Sequence, residues 1–206
     1  MRQIASVLLA AAVCLCHSLS HADAEEKRLG TAGLGVLAST VEGGVRGDAW
    51  AWGGRAVFGY GLSNVLELRV AGGAAFAQAL EFEGATIGAQ QGNLFGDLLT
   101  IEASAGVRVN GGVWLTPAFA RTRPFVEARG GVLLRRLSAQ LLLGPGNMLI
   151  SAPDATMSVV PLLAGAAGVE HRFGRGFLAA VAFDAAVSTD GYHQLGVTLE
   201  LSWAWY

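Results

Sequence analysis

The sequence predicts an all-β protein: an eight-stranded antiparallel transmembrane up-and-down β-barrel behind an N-terminal signal peptide. Three observations predict it. Leu195, Val197, Leu199, Leu201, Trp203 and Trp205 alternate with Gly196, Thr198, Glu200, Ser202 and Ala204, a strict period of two. Charged residues are only 15% of the chain, against about 25% in soluble proteins, and no mature segment offers the long apolar run that a helical span needs. The N-terminus reads as an export signal.

That signal has Arg2 as its positive start, an apolar stretch over residues 4–16 and the small-x-small site Ala22-Asp23-Ala24. An apolar run of about 13 residues is too short to cross a bilayer, where about 20 are needed. Cleavage is expected after Ala24, which leaves residues 25–206 as one domain. Cys14 and Cys16 both lie in the leader, so the mature chain has no thiol for a disulfide, a nucleophile or a metal. Val13 and Leu15 precede the cysteines where a lipoprotein signal needs a small residue.

Eight strands fit the mature chain: 30–40, 49–60, 64–78, 98–115, 124–137, 159–173, 176–188 and 193–206. Short turns at 61–63, 116–123 and 174–175 alternate with connections at 41–48, 80–97, 138–158 and 189–192, which are mostly longer. Short turns at one end and longer loops at the other are the pattern of a spanning barrel, with both termini on the short-turn side. Pro161 cannot donate to a ladder, so it is expected at the rim where pairing ends.

The charges sit on one face of each strand. Arg55 opposes Trp50, Trp52, Phe58 and Tyr60, and Glu67 and Arg69 oppose Leu66, Leu68 and Val70. Glu102 and Arg108 lie opposite Ile101, Val107 and Val109. Glu127, Arg129 and Arg135 share a face of the fifth strand, Glu170 and Arg172 of the sixth, with Asp184 and Glu200 on the last two. Six acids thus meet six arginines on the inward parity. An eight-stranded barrel is just wide enough for side chains, so these residues are expected to plug the lumen with a salt-bridge network. Trp50, Trp52, Tyr60, Trp203, Trp205 and Tyr206 are the candidate aromatics of the membrane–water interfaces.

With its leader, even strand count, alternating loops, inward charges and terminal aromatic Tyr206, the chain resembles the OmpA/OmpX-type eight-stranded outer-membrane barrels. The resemblance covers nearly all of the mature chain. It implies a monomer in the bacterial outer membrane, in contact with lipid and lipopolysaccharide. It also implies that the C-terminal strand is read by the outer-membrane assembly machinery. Family members carry their terminal aromatic on the lipid face, whereas here Trp203 and Trp205 take that face and Tyr206 is one residue out of phase. The function implied is structural or surface interaction through the loops, with the loop partner unspecified.

Small barrels of this kind include lipid-A acyltransferases and deacylases, which are the alternative. Ser188, Asp190 and His193 would be the candidate set, although Ser-Thr-Asp-Gly is also ordinary turn composition. His171, the other mature histidine, falls on the outward parity of the sixth strand. Two separated histidines match no metal-ligand spacing, and no cofactor or metal is expected. The net charge of -2 argues against a nucleic-acid partner. Arg46-Gly47-Asp48 spells an adhesion tripeptide in the first long connection, where Gly and Asp are common anyway. Gly33-x-Gly35 and Gly165-x-x-Gly168 open no helix and are not nucleotide loops. A soluble β-sandwich would leave Trp, Phe and Leu facing water on nearly every strand.

Overall fold

The computed structural model describes residues 29–42, 49–63, 65–87, 89–111, 122–173 and 176–205. The leader, the Arg46-Gly47-Asp48 tripeptide, most of the 116–123 turn and Tyr206 lie outside them. The elements are β1 (Gly30–Glu42), β2 (Ala49–Gly61), β3 (Leu66–Ile87), β4 (Gln90–Asn110) and β5 (Thr122–Leu143), then β6 (Leu149–Ser151), β7 (Thr156–Phe173), β8 (Phe177–Ser188) and β9 (His193–Trp205). Each long strand pairs antiparallel with its neighbours in the chain, and β1 pairs with β9 from Gly30–Trp205 to Glu42–His193. That last ladder closes the sheet into an eight-stranded barrel. The three-residue β6 pairs only with the far end of β5. Among the described residues no helix is long and apolar enough to cross a membrane.

Closure makes the two-residue alternation into an inside and an outside. Leu199 faces out at 51% exposure, beside Val36 and Val181 on the flanking strands, while Thr198 and Glu200 face in at 2% and 4%. Bulky apolar side chains point outward all around the barrel, with Leu34 and Phe183 above 70% exposed. This is the reverse of a soluble core, and only lipid makes such a surface favourable.

The barrel has a terminal end, which holds Gly30 and Trp205, and an opposite hairpin end. At the hairpin end the strands run longer than their periodicity suggests. Where the sequence reads a loop over 80–97, β3 continues to Ile87 and β4 starts at Gln90. Where it ends the fifth strand at 137, β5 reaches Leu143, and β7 begins at Thr156 rather than 159. At the other end β4 ends at Asn110, and residues 112–115 of the expected fourth strand lie outside the described residues. The reason for the misread extensions is a set of bulges. Ala79 and Ala139 adopt left-handed backbone (φ 52° each), and Gly84 does so at φ 64°. Each extra residue flips the alternation, so the period of two breaks in sequence while the ladder goes on in space. Asp97 sits between the first two bulges: its carboxylate accepts from the Ala79 N–H at 2.9 Å, and its carbonyl accepts from Ser138 Oγ at 3.4 Å.

Above these bulges β3, β4, β5 and β6 continue as a small sheet with no described pairing to the other strands. Gln140 anchors it, donating to the carbonyls of Leu137 and Asp154 at 3.2 and 2.7 Å. Pro161 faces outward and lies one residue beyond the last β7–β8 pair, Leu162–Ser188, but it is still in register with Val132 of β5. The rim therefore ends at different heights on its two sides.

Placing a cation on the outer face tests this orientation. Leu199→Arg is expected to lower stability by about 2–4 kcal/mol or to block assembly, because it carries charge into lipid near the middle of the span. Leu199→Ala is expected to assemble at near wild-type yield. Urea midpoints of the two variants in detergent compare them, and equal loss in both would remove Leu199 from the lipid face.

Candidate functional site: the charged interior of the barrel

The inward faces separate into two layers. Toward the terminal end lies a charged layer, and toward the hairpin end an apolar one. The apolar layer is built from Val41, Ala51, Leu98, Leu133 and Leu162, with Leu80 and Tyr192 above them.

In the charged layer Arg108 is the most heavily engaged cation. Its Nε donates to Glu127 at 3.0 Å, Nη1 lies 3.4 Å from Glu170, and Nη2 lies 3.6 Å from Glu200. Its guanidinium also stacks 3.8 Å above the ring of Phe125. Arg69 reaches Glu200 at 2.7 Å and Glu127 at 3.4 Å. Arg129 joins Glu102 and Asp184, each at 2.8 Å, and Arg55 joins Asp184 at 3.0 Å. Arg129 Nε lies 3.1 Å from Glu127 but off the line of a hydrogen bond. Glu170 also accepts from Arg123 at 3.1 Å. The result is one connected set of alternating charges from Arg123 to Arg55, contributed by β2, β3, β4, β5, β7, β8 and β9. Hydroxyls supply further donors to the carboxylates. Thr31 donates to Glu67 at 2.6 Å and Ser104 to Glu102 at 2.7 Å, and Thr198 donates to Asp184.

Several of these partners are absent from the sequence reading. The sequence pattern places Arg123 in a turn, though it stands on the inward parity of Glu127 and Arg129 because β5 starts at Thr122. Thr31, Ser104 and Thr198 carry no charge and gave no signal beyond their parity. Arg135 departs from the expected network. It stands on the far side of the apolar layer, paired with Asp190 and 5.4 Å from the centre of the Tyr192 ring. Burial pushes the Tyr192 phenol up to about 12, against the opposing pull of Arg135. Arg172 is half-buried at the terminal rim.

The expected interfacial aromatics divide between the ends. Trp50 and Trp52 stack at the hairpin end with centroids 6.4 Å apart. Tyr60 and Trp205 flank Gly30 at the terminal end, and Trp203 lies two residues inward beside Phe177. All five are exposed.

The Ser188, Asp190 and His193 set is not assembled. Ser188 continues the inward parity of Asp184 and donates its hydroxyl to Asp190, which is held by Arg135. His193 continues the outward parity of Leu195 and is exposed. Among the described residues neither Ser188 nor Asp190 hydrogen-bonds His193. At the terminal end His171 Nδ1 is 2.7 Å from Thr122 Oγ1 and packs edge-on against Phe173, as a partner in a rim contact. Among the described residues no group of three or more His, Cys, Asp or Glu could hold a metal ion.

A closed eight-stranded barrel with lipid-type residues outside and paired charges inside is a known architecture. The fold is that of the small outer-membrane barrels. The attachment invasion locus protein Ail of Yersinia pestis, solved with the heparin analogue sucrose octasulfate, superposes with a TM-score of 0.55 at 12% identity; the match covers 87% of this chain and 100% of Ail. Neisserial surface protein A gives 0.56 at 12% identity, covering 87% and 99%. The outer membrane protein OprG of Pseudomonas aeruginosa gives 0.52 at 12% identity, covering 88% and 98%. At such identity the likeness is one of fold. No protein-family model matches the chain, and no curated relative does.

The charged layer depends on every member keeping its partner. Glu127→Gln removes a carboxylate shared by Arg69, Arg108 and Arg129, and is expected to cost about 3–5 kcal/mol, as for a broken buried pair. Thr86→Ala, in the exposed part of β3, is expected to leave the urea midpoint within error. Equal midpoints for Glu127→Gln and wild type would mean that the buried pairs add nothing to stability.

Proposed function

We propose that this chain is a non-enzymatic outer-membrane protein with a closed lumen, and that the raised sheet at the hairpin end is its working surface. The observation that carries the closed lumen is the two-layer interior. A hydrated ion entering from the terminal end meets arginines and carboxylates already paired with one another. Beyond them it meets a layer built mainly from aliphatic side chains, and shedding water against such a layer is costly.

The raised sheet supports the surface role. It presents exposed Leu141, Met148 and Leu149 beyond the span, where lipid does not account for them. Its contacts are made by faces rather than edges. The free edge of β3 is interrupted at Ala79 and Gly84 and carries Glu81 and Glu83, and β6 is only three residues long. Bulges, charges and short strands are the devices that discourage strand addition. The described hairpin end carries Glu81, Glu83, Asp97, Asp154 and Asp190 against Arg135 and Arg136. A sulfated polyanion of the kind bound to Ail is therefore disfavoured as a ligand here. The outward aromatics at both ends support contact with lipid headgroups and lipopolysaccharide. The opposite facing of Ser188 and His193 supports the non-enzymatic reading over lipid-A modification.

Planar-bilayer recording tests the closed lumen: the purified protein is expected to give negligible or brief, flickering conductance. Steady open currents from the wild type would sink it and move the role toward transport. Orientation is tested on intact cells. Added protease is expected to cut first within residues 144–155, and cleavage confined to residues 61–65 would invert the barrel.

A further inference from the structure

We infer that the β5–β6 hairpin is a lipid-inserting tip, and that it meets the zwitterionic face of a second membrane brought against the cell. The inference rests on the raised sheet being the working surface and names what that surface contacts. Residues 137–153 carry no charged and no aromatic side chain, between Arg136 on one side and Asp154 on the other. Such a run is ordinary inside a span. Here it continues above the bulge at Ala139, where the sheet has no described pairing to the other barrel strands.

The exposed part of the run is aliphatic. Met148 is 70% exposed, Leu149 61% and Leu141 43%. Leu149 is in register with Leu143, which shares a strand face with Leu141, so these side chains form one patch. The turn beneath them is closed on itself. The Gly144 N–H donates to the Met148 carbonyl at 2.8 Å, the Asn147 N–H donates to the Gly144 carbonyl at 3.1 Å, and Pro145 has no N–H. Gly146 and Asn147 reverse the chain with left-handed backbone, at φ 73° and 59°. Hydrocarbon offers backbone groups no partners, so internal pairing of this kind is what a tip needs before it enters lipid.

The side-chain chemistry selects lipid over protein. Protein interfaces gather Tyr, Trp and Arg at their centres, and this patch has none of them. Leucine, isoleucine and methionine instead gain directly from transfer into hydrocarbon. Charge selects the kind of lipid. Anionic membranes attract segments flanked by several Lys or Arg. The described hairpin end has five acids, Glu81, Glu83, Asp97, Asp154 and Asp190, against Arg135 and Arg136, and Arg135 is already paired with Asp190. A zwitterionic surface is therefore favoured. Interfacial insertion reaches about 5–10 Å, or about two to three residues of each strand, which takes in Met148 and Leu149 and leaves Asp154 in water.

The test uses the full mature chain folded into nanodiscs and mixed with phosphatidylcholine vesicles. The wild type is expected to float with the vesicles and empty nanodiscs are not. Replacing part of the phosphatidylcholine by phosphatidylglycerol is expected to weaken binding at low ionic strength. Met148→Ser and Leu149→Ser in one chain should lower the partition coefficient by about tenfold or more. Gln90→Ser, in the neighbouring β3–β4 hairpin, should float like wild type. A second readout does not depend on that double variant folding. From residue 25 onward the chain has no cysteine, so Leu149→Cys can carry a single environment-sensitive fluorophore. Its emission is expected to shift to the blue on phosphatidylcholine vesicles and to be quenched by a lipid-borne nitroxide. No flotation of the wild type, equal flotation of the double variant, stronger flotation on phosphatidylglycerol, or an unshifted fluorophore each overturns the lipid tip. Cleavage within residues 144–155 on intact cells, together with absent flotation, would leave the outward-facing sheet standing and reject lipid as what it meets.

Discussion

Closure of the hydrogen-bond ladder between β1 and β9 is the constraint on which the rest of this molecule depends. In hydrocarbon a backbone N–H or C=O without a partner costs several kcal/mol, so a sheet can enter lipid only if it has no edge. Eight strands close that sheet at a diameter that leaves room for side chains and little else. The fully formed ladder from Gly30–Trp205 to Glu42–His193 is therefore more than one pairing among several. It forces every second residue into a narrow interior, and that interior then dictates what chemistry the inward positions must have.

Once inside, an arginine or glutamate can remain charged only if it is surrounded by opposite charge. The interior meets this demand by sharing. Glu127 serves three guanidinium groups and Arg108 approaches three carboxylates, with Phe125 against the face that carboxylates do not reach. Sharing also limits ordering cost, since a side chain fixed by one bridge loses little further freedom in a second. The layer above is built mainly from aliphatic side chains.

The hairpin end shows what happens where the lipid constraint is lifted. Above Ala79 and Ala139 the sheet no longer has to close, and edges appear on β3 and β6. Left-handed backbone at two alanines is unfavourable by itself, but it lets the ladder take up an inserted residue and continue. Asp97 ties both bulges to β4 and fixes where that departure begins. The exposed edges are short, bulged or acidic, as expected of strands that must stay soluble beside a membrane.

The sequence by itself determined the strand class, the even strand count and the sidedness of nearly every strand within the span. The physical reason is that a period of two is a local property of extended backbone: Leu199 and Glu200 declare their faces from their neighbours alone. It also put Arg55, Glu67, Arg69, Glu102, Arg108, Glu127, Arg129, Glu170, Asp184 and Glu200 on one side. What it could not decide was who meets whom. Partners such as Arg55 and Asp184 are far apart in the chain, and their meeting depends on strand tilt and register around a closed ring. The same non-locality separated Arg135 from the other arginines, since its height along the barrel, not its parity, puts it beyond the apolar layer. Only the tertiary structure extended β3, β4 and β5 past their bulges, because one inserted residue erases the alternation in the sequence and leaves the hydrogen-bond ladder standing in space.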